Sequence, residues 1–308
     1  MIVTLTANPA IDRNVTADRL VFEDRGYILS TRESAGGRGI NASCVIHSFG
    51  ASTLAIAPSG GESGKRLQDF MGCCGFPLHT VPIRNEIRTN LTITDKQGLT
   101  VKLNQFGPEL DAEEVARLEE AVASRLDGAS WLMLCGSLPP GVPPEFYAKL
   151  IALARERGVK TLLDTDGEAL IAGIEAGPAA VTPNQQEAER LLNRVLLTRS
   201  HFLDAAARIR EQGAASVVLS LGSRGAVGAS EDRLYEALPP RIDAVCPIGA
   251  GDALAAAFVW AMNEGNDFPD AVRWGVAAGT ASARLPGVQF ASLEETRKIY
   301  QRVELRSA

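Results

Sequence analysis

The sequence predicts an α/β fold in which a mainly parallel central sheet carries a small antiparallel sheet. Short β-branched or apolar runs recur along the chain, and helical periodicity follows most of them, which is typical of parallel strands joined by crossover helices. These runs are Ile2–Leu5, Thr53–Ala57, Trp131–Leu134, Thr161–Leu163, Ala180–Thr182 and Val217–Leu221. The chain has 308 residues, of which 45% are hydrophobic and 22% charged, so we expect one continuous domain over residues 1–308.

The small sheet is predicted from two stretches that alternate polar and apolar residues, at about residues 13–35 and 79–105. They contain the segments RNVTAD, GYILSTRES and NLTITDKQGLTVKLN, in which Lys96-Gln97-Gly98 is typical of a hairpin turn. Because both stretches interrupt the succession of strands and helices, we expect them to form a small antiparallel sheet inserted into the α/β core.

Charge and hydropathy exclude two classes of partner. With a net charge of -6 and a pI near 5.3, the chain lacks the basic surface of a nucleic-acid-binding protein, whereas a small anionic substrate is compatible with it. The longest strongly apolar stretch, Ala253–Met262, is about half as long as a membrane-spanning helix, and the N-terminal segment MIVTLTANPA has no basic leader. We therefore expect no nucleic-acid partner, no membrane span and a cytoplasmic location.

The cysteines are expected to be reduced and mostly buried thiols. None forms a CxxC pair or joins a histidine at metal-ligand spacing. They are Cys44, Cys73, Cys74, Cys135 and Cys246.

The strongest local signal is Gly249-Ala250-Gly251-Asp252, directly before the apolar helical run ALAAAFVWAM. Backbone N–H groups at such a helix start can bind an anion, because the glycines allow close approach and the helix dipole favours negative charge. Asp252 has two interpretations. It is either an N-cap residue, or a general base beside an anion hole for phosphoryl transfer.

Two further glycine-rich segments differ in what they predict. Gly36-Gly37-Arg38-Gly39-Ile40-Asn41 opens a segment with helical spacing, Ile40–Phe49, and Asn41 could bond sugar hydroxyls there. Gly60–Lys65, with the sequence GGESGK, is not a phosphate-binding P-loop. Its spacing is one residue short, and Arg66 stands where a hydroxyl side chain is needed for Mg²⁺.

Two strand ends carry candidate nucleotide-side residues. Asn184 and Glu187 follow Pro183 and lie on one face of a predicted helix, where they could order water around Mg²⁺ or simply cap the helix. The segment Ser220–Gly225 ends another strand and could pass along a nucleotide.

Taken in order, TLTANPAID, GGRGIN, GSLPPGV, TPNQQE, SLGSRGA and GAGD resemble the PfkB family of carbohydrate kinases. The resemblance implies the ribokinase-like fold, a three-layer sandwich with a small β lid. Within the family, SGGESG, GEAL, NQQEAERLLNRVLLT, VRWGVAAGTASA and TRKIY are most similar to the minor isozyme of bacterial 6-phosphofructokinase. Fructose-1-phosphate and tagatose-6-phosphate kinases are close relatives.

The implied activity is ATP-dependent phosphorylation of a ketohexose phosphate, with fructose 6-phosphate converted to fructose 1,6-bisphosphate. Alternatives within the family are 1-phosphofructokinase and tagatose-6-phosphate kinase. A nucleoside or free-sugar kinase is disfavoured, because Arg88 and Lys102 would then meet no anionic substrate group. The alternative of another class is a catalytically weak regulator that binds a sugar phosphate.

The resemblance also assigns roles to individual residues. Asp252 is the base, Gly249, Ala250 and Gly251 form the anion hole, and Arg88 binds the substrate phosphate. The substrate side is made by Asp12 at the first strand end and by Gly37, Arg38, Asn41, Arg88, Lys102 and Ser137. The ATP side is made by Thr182, Asn184, Glu187, Ser220, Gly222 and Gly225, with Asn184 and Glu187 holding Mg²⁺ through water.

Two further expectations come from the resemblance. The lid forms a homodimer contact in the minor isozyme, so a homodimer through the lid is expected here. A K⁺ site is implied near Cys246 and Ile248, although Leu285 stands where the relative has Asn.

This chain departs from the family pattern at three positions. Thr182 stands where phosphofructokinases carry Lys before Pro-Asn, and Pro247 has no N–H to offer beside the GAGD segment. Arg38 is Gly in the minor isozyme and Lys in the other two kinases. Our hypothesis is that Arg38 offsets the missing lysine by placing positive charge near the transferring phosphoryl group.

Overall fold

The succession of apolar runs and amphipathic segments folds into a mainly parallel sheet between two layers of helices. The computed structural model describes residues 1–21, 23–231 and 233–308. Residue 22, inside the first predicted lid stretch, and residue 232 lie outside the described residues.

The strands, numbered in chain order, have the following bounds. They are β1 (Ile2–Thr6), β2 (Ala10–Ala17), β3 (Ile28–Gly36), β4 (Thr53–Ser59), β5 (Leu78–Pro82), β6 (Arg88–Asp95), β7 (Thr100–Asn104), β8 (Trp131–Cys135), β9 (Lys160–Asp164), β10 (Ala180–Val181), β11 (Ser216–Ser220), β12 (Ala226–Ser230), β13 (Arg233–Leu238) and β14 (Glu304–Ser307). The helices are α1 (Arg38–Ser48), α2 (Gly61–Gly72), α3 (Ala112–Ala123), α4 (Phe146–Glu156), α5 (Gly167–Glu175), α6 (Gln185–Leu191), α7 (Arg199–Glu211), α8 (Ala250–Asn263), α9 (Phe268–Ser282) and α10 (Leu293–Tyr300).

The main sheet contains all of the predicted parallel strands. Within the described residues its order is β14-β13-β12-β11-β10-β9-β8-β1-β4-β5. The strands from β5 to β11 in this order are parallel, whereas β12, β13 and β14 add an antiparallel edge that the sequence did not predict. Two apolar cores lie on its two faces, one with α2, α3, α4, α5 and α7 and the other with α1, α8, α9 and α10. The predicted three-layer arrangement is confirmed.

The small sheet has the order β3-β2-β6-β7. Its β2–β3 and β6–β7 pairs are antiparallel, and β2 runs parallel to β6 at the centre. The predicted hairpin turn is confirmed, since the Gly98 N–H donates to the Asp95 carbonyl at 3.0 Å and Gly98 has φ +88°. We refer to this sheet as the lid.

The lid begins later in its second stretch than the sequence predicted. Leu78–Pro82, placed in the lid from residue 79 onward, is instead β5, the parallel edge strand of the main sheet. An edge strand is partly exposed along its length, so its residue pattern is the same as that of a lid strand. The second lid stretch therefore starts at Arg88.

Two smaller expectations can be compared with the structure. The described cysteines are free, as predicted, but only Cys135 among them is buried and Cys73 is exposed, so the expectation of mostly buried thiols was wrong. Within the described ranges, no helix has the length and apolar character needed to cross a bilayer.

Candidate active site

Helix α8 starts with its first turn open. Its N-cap residue, Gly249, has φ +83°, and an added Cβ would come within 3.0 Å of the Phe290 ring, so the position favours glycine. Among the described residues, no side chain caps this helix. The N–H of Ala250, which was predicted to serve the anion hole, donates to the Pro247 carbonyl at 3.2 Å.

The amides of Gly251 and Asp252 have no hydrogen-bond partner within the part of the chain that the structure describes. They are first-turn N–H groups, which a helix cannot satisfy with its own carbonyls. Of the N–H groups predicted to form the anion hole, that of Ala250 is bonded within the protein and that of Gly251 remains free, and the N–H of Asp252 joins it. The amides of Gly251 and Asp252 and the positive end of the helix dipole are the groups that could bind an anion.

Asp252 lies in the first turn of α8 and does not cap it, so its interpretation as an N-cap residue is wrong. The Asn41 side-chain amide donates to Asp252 Oδ2 at 2.7 Å and fixes the carboxyl group. Loss of hydration in the protein raises the pKa of Asp252 to about 7, the nearby carboxylate of Asp164 adds to this rise, and Asn41 and Arg38 oppose it. A carboxyl group with this pKa is well matched to general-base catalysis near neutral pH.

The lid brings Asp12 over the cleft, although not from the position predicted. Asp12 lies within β2 in the lid and not at the end of β1. It faces Asn90 of β6 in register, and the Asn90 side-chain amide donates to Asp12 Oδ1 at 2.9 Å. Burial raises the pKa of Asp12. A Cβ on Gly36 would lie 2.4 Å from the Asp12 carboxyl carbon, which explains why glycine occupies this position.

Arg88 begins β6 beside Asp12, with much of its guanidinium still available. Its Nη1 donates to the Gln105 carbonyl at 3.2 Å, but its buried Nε has no partner among the described residues. Burial lowers the pKa of Arg88, and the carboxylate of Asp12 partly restores it. A buried donor without a partner is costly unless a ligand satisfies it. The position therefore fits an anionic group of a substrate.

The remaining residues predicted for the substrate side differ in how closely they contact the rest of the protein. Gly37 has φ +129°, and an added Cβ would lie 2.5 Å from Thr6 Cγ2, so this turn packs directly on the end of β1. Ser137 Oγ accepts a long 3.5 Å bond from the Asn8 side chain. Lys102 lies on the exposed edge strand β7, opposite Thr92.

The nucleotide-side candidates meet at the carboxyl ends of β10 and β11. Asn184 forms an isolated parallel bridge with Ser220, and the Ser220 N–H donates to the Pro183 carbonyl at 2.9 Å. Gly222 begins a 3₁₀ turn, which ends at Gly225 with φ +91°. A Cβ on Gly225 would lie 2.0 Å from the Ala237 carbonyl oxygen, so only glycine fits there.

Asn184 and Glu187 form a capping box at the start of α6. Asn184 Oδ1 accepts from the Glu187 N–H at 3.0 Å, and Glu187 Oε2 accepts from the Asn184 N–H at 2.9 Å. The capping interpretation is therefore confirmed. The capping box uses only Oε2 of Glu187, and Oε1 accepts from Arg38 instead. The role of Asn184 and Glu187 near Mg²⁺ stays a prediction.

Arg38 joins the two sides of the cleft through Glu187, which was a predicted site residue, and through Asp164 and Asp166, which were not. Its guanidinium donates to Asp164 Oδ1 at 2.9 Å, to Glu187 Oε1 at 3.1 Å and to Asp166 Oδ2 at 3.4 Å. Asp164 ends β9 and Asp166 precedes α5, within the segment LDTDGEAL. Acidic residues directly after a buried parallel strand are the signal that could have identified them, because ligands bind at that edge of such sheets.

The Arg38 contacts also bear on the hypothesis of charge compensation. Thr182 follows Val181, which is in register with Leu163, so Thr182 lies beside Asp164 on the neighbouring strand. Its buried hydroxyl has no partner among the described residues. The Arg38 charge thus lies near the position of the missing lysine. That it replaces the lysine in catalysis stays a prediction.

The P-loop interpretation of the GGESGK segment was rejected from the sequence, and the local structure is consistent with that rejection. The segment begins α2, and its first turn is satisfied from within the protein. Glu86 Oε1 accepts from the Ser63 N–H at 2.8 Å and from the Ser63 hydroxyl at 2.7 Å. An internal carboxylate therefore occupies the anion position of this helix.

Comparison with known proteins identifies the family. Residues 4–296 match the pfkB family carbohydrate kinase. The chain belongs to this PfkB family. It is 34% identical over 302 residues to the ATP-dependent 6-phosphofructokinase isozyme 2 of Escherichia coli, covering 97% of each chain. It is also 30% identical over 284 residues to the 1-phosphofructokinase of Borreliella burgdorferi, covering 92% of each. The chain is therefore a sugar-phosphate kinase of the PfkB type.

Solved structures agree with this assignment. The E. coli phosphofructokinase-2 in complex with substrates and products superposes with a TM-score of 0.91 at 34% identity, covering 98% of both chains. Arabidopsis thaliana ribokinase, with a TM-score of 0.78 at 19% identity, shows the shared ribokinase-like fold. The kinase relatives imply that this PfkB-family protein requires ATP and a divalent metal ion.

The carboxylates of this PfkB-family site suit a divalent ion that is shared with a nucleotide. Carboxylate oxygens are preferred Mg²⁺ ligands, and Mg²⁺ is commonly bound by one or two carboxylates together with substrate phosphates. In the described parts of the chain, no three acidic, histidine or cysteine side chains are arranged to hold a metal by themselves. Asp164 and Glu187 fit a site made of two carboxylates together with substrate phosphates, since Asp164 ends β9 and Glu187 lies in the first turn of α6.

Proposed function

We propose that this protein transfers the γ-phosphoryl group of ATP to a ketohexose phosphate, with fructose 6-phosphate as the acceptor. The observation that carries this proposal is Asp252, held by Asn41 at the open start of α8 with a pKa of about 7. A carboxyl group in this position combines a base with unsatisfied N–H donors in one place. Phosphoryl transfer requires that combination.

The chemistry follows from the positions of these groups. The Asp252 carboxylate accepts the proton of the acceptor hydroxyl, while the Asn41 amide keeps the carboxylate oriented. Negative charge that develops on the transferring phosphoryl group meets the amides of Gly251 and Asp252 and the helix dipole. Because these donors are fixed before reaction, little reorganisation is needed in the transition state.

The acceptor is proposed to be a sugar phosphate because Arg88 offers an unpartnered donor on the lid side of the cleft. A guanidinium can bind a phosphate through two parallel hydrogen bonds. Asp12 and its partner Asn90 lie in the same part of the lid and provide donors and acceptors for sugar hydroxyls. A free sugar would leave Arg88 without its counterion.

Two acceptors of the same class compete with fructose 6-phosphate. Fructose 1-phosphate is favoured by the 1-phosphofructokinases among the relatives, and tagatose 6-phosphate by the resemblance described above. The basic residue at position 38 supports both, because the kinases for these sugars carry Lys there. The regulator hypothesis is weaker, since Asp252 and its hydrogen-bond partner are both in place.

Mg²⁺ is the proposed divalent ion, and Asn184 and Glu187 would hold it through water. When bound with ATP it supplies positive charge that offsets the phosphate oxygens. A K⁺ requirement is also proposed, because a structure of E. coli phosphofructokinase-2 contains potassium. In this chain the Val245 and Cys246 amides both donate to the Ala283 carbonyl, at 2.8 Å and 3.0 Å, and hold the segment before Ile248 near Leu285.

A homodimer through the lid is proposed from the face of the lid that points away from Asp12. On this face Leu91 and Ile93 of β6 are in register with Leu103 and Val101 of β7, and Leu103 and Val101 are 55% and 38% exposed. Exposed apolar patches of this kind mark protein–protein contacts. Light scattering of the purified protein measures the mass, and a monomer would contradict this part of the proposal.

The function is tested by measuring ATP consumption with fructose 6-phosphate, fructose 1-phosphate, tagatose 6-phosphate and the corresponding free sugars. We expect the highest kcat/KM with fructose 6-phosphate and none with free sugars. Preference for another sugar phosphate would reassign the acceptor within the family. If no sugar supports turnover but a sugar phosphate binds in calorimetry, the regulator hypothesis replaces the kinase.

A further inference from the structure

Arg38 donates a hydrogen bond to Glu187, which is also a carboxylate that the metal ion is expected to approach. Its side chain is 30% exposed, whereas Asp164 and Glu187 are 9% and 6% exposed, so it meets two nearly buried acids from the solvent side. Asp166, which is 41% exposed, completes a group of three carboxylates around one guanidinium. One positive charge, that of Arg38, therefore faces three carboxylates.

The balance of charge makes Arg38 essential to this arrangement. Asp164 and Glu187 are both nearly buried, and in the described part of the protein Arg38 is the basic side chain that pairs with each of them, at 2.9 Å and 3.1 Å. Without it, buried carboxylates would repel each other and lack a counterion. Another cation would then be favoured at the same oxygens.

The hydrogen bonds of Glu187 show where the two cations would meet. Its Oε2 is used by the Asn184 N–H in the capping box, so the oxygen directed into the cleft is Oε1. That oxygen accepts from Arg38 Nη2 at 3.1 Å. A divalent ion or its bound water that approaches Glu187 therefore meets an oxygen that a guanidinium already contacts.

We propose that Arg38 and a divalent cation are alternative partners of Glu187 and Asp164. Arg38 is a positioning residue in this proposal. In the nucleotide-free protein it offsets part of the negative charge of the acidic group and lowers the affinity of that group for free divalent ions. When a metal arrives with the nucleotide, the guanidinium shares or gives up its bond to Glu187. This step deepens the proposed kinase function, since it concerns the metal that kinases require.

The test measures Mn²⁺ binding to the nucleotide-free protein by electron paramagnetic resonance of the free ion. We expect Arg38→Ala to bind Mn²⁺ with a Kd at least about tenfold lower than the wild type, the size of one charge-assisted hydrogen bond. Combining it with Glu187→Gln should remove the gain. The melting temperature of Arg38→Ala should also rise on addition of Mn²⁺ by more than that of the wild type.

The matched control is Arg66→Ala on α2. Arg66 has similar exposure, at 37%, and pairs with a single carboxylate, Glu33, at 3.0 Å. It should leave Mn²⁺ affinity unchanged, because no group of buried acids loses its counterion. If Arg38→Ala does not fold, Arg38→Gln carries the same expectation, since it removes the charge and keeps a hydrogen-bonding side chain.

Equal Mn²⁺ affinity in the wild type and the Arg38 variants, within about twofold, would overturn the proposal, as would an equal gain in Arg66→Ala. The measurement contains neither sugar nor nucleotide. A failed acceptor screen therefore leaves the cation exchange standing, and a failed Mn²⁺ experiment leaves the kinase assignment standing.

Discussion

Among the helices that begin at this cleft, α6 and α8 have starts that are built in opposite ways. Helix α6 is closed by a reciprocal capping box between Asn184 and Glu187, and α8 begins at Gly249 with no side-chain cap among the described residues. The same box closes α10, where Ser292 and Glu295 cap each other. Capping uses up the N–H groups that could bind an anion. The comparison therefore points to α8 as the phosphoryl site and to α6 as its rigid neighbour.

The open start has an energetic cost that the closed start lacks. Burial raises the pKa of Asp252 from an ordinary value of 3.8 to about 7, so the folded protein disfavours its charged form. A carboxyl group with a raised pKa destabilises the fold progressively as pH rises between these two values, and the full cost applies above about 7. A base that is ready to accept a proton is thus maintained at the expense of stability.

The largest expected effect is at the open start. Asp252→Asn should lower kcat by about 10²- to 10⁴-fold, because the amide cannot accept the proton, while sugar-phosphate binding is retained. Its melting temperature at pH 8 should not fall, since a buried charge is removed. Glu113→Gln, a first-turn acid of α3 that is 90% exposed, is the control and should leave kcat unchanged. More than about a tenth of the wild-type kcat in Asp252→Asn would remove the assigned role.

The pH dependence of the reaction tests the same carboxyl group without mutation. Below a pKa of about 7 Asp252 is protonated and cannot act as a base, so kcat/KM should fall with decreasing pH through this value. The sugar phosphate has its own ionisation near pH 6, and the pH dependence of its Kd corrects for that. A profile that stays flat from pH 8 to about pH 5.5 would contradict a base with this pKa.

Arg88→Ala should act on the acceptor alone, and its expected effect is smaller. Loss of a charge-assisted contact to a phosphate already present in the ground state should raise KM for the sugar phosphate about 10- to 100-fold, with little change in KM for ATP. Arg84→Ala is the control, because its side chain is 79% exposed and pairs with Asp111. A change in KM for ATP alone would place Arg88 outside the acceptor site.

Much of the fold could be predicted because its strands are buried on both faces. Ile2–Leu5 and Trp131–Leu134 are runs of β-branched or apolar residues that are buried along their whole length, and such runs belong to central parallel strands. Leu78–Pro82 was misplaced because an edge strand and a lid strand share one pattern of exposure. The antiparallel edge formed by β12 to β14 was missed. Its β13–β14 pairing joins segments distant in sequence, whereas β12 and β13 follow β11 directly along the chain and were not identified as strands.

The candidate site was predictable at positions where the backbone admits only glycine. It was less predictable where the partners of a long side chain determine the arrangement. The glycines at 37, 225 and 249 have positive φ or no room for a Cβ, so their motifs marked real constraints. Asp164 and Asp166 were missed because their partner, Arg38, is more than 100 positions away in the sequence. Whether Asn184 caps a helix or organises a metal could not be decided from its spacing, since both roles require the same residue type.

The smallest expected effect is at the capping box of α6. Comparing it with the capping box of α10 separates the two roles of Asn184. Asn184→Ala on α6 and Ser292→Ala on α10 remove equivalent halves of two capping boxes, so each should lower the free energy of unfolding by about 0.5–2 kcal/mol. Denaturant unfolding of both variants measures this loss. Only Asn184→Ala should also raise KM for ATP with Mg²⁺, because α10 packs against α9 and carries none of the candidate site residues. If the two variants lose stability equally and both keep the wild-type KM, the start of α6 is purely structural, and the divalent ion must be held by Asp164 and the nucleotide phosphates without help from the capping residue.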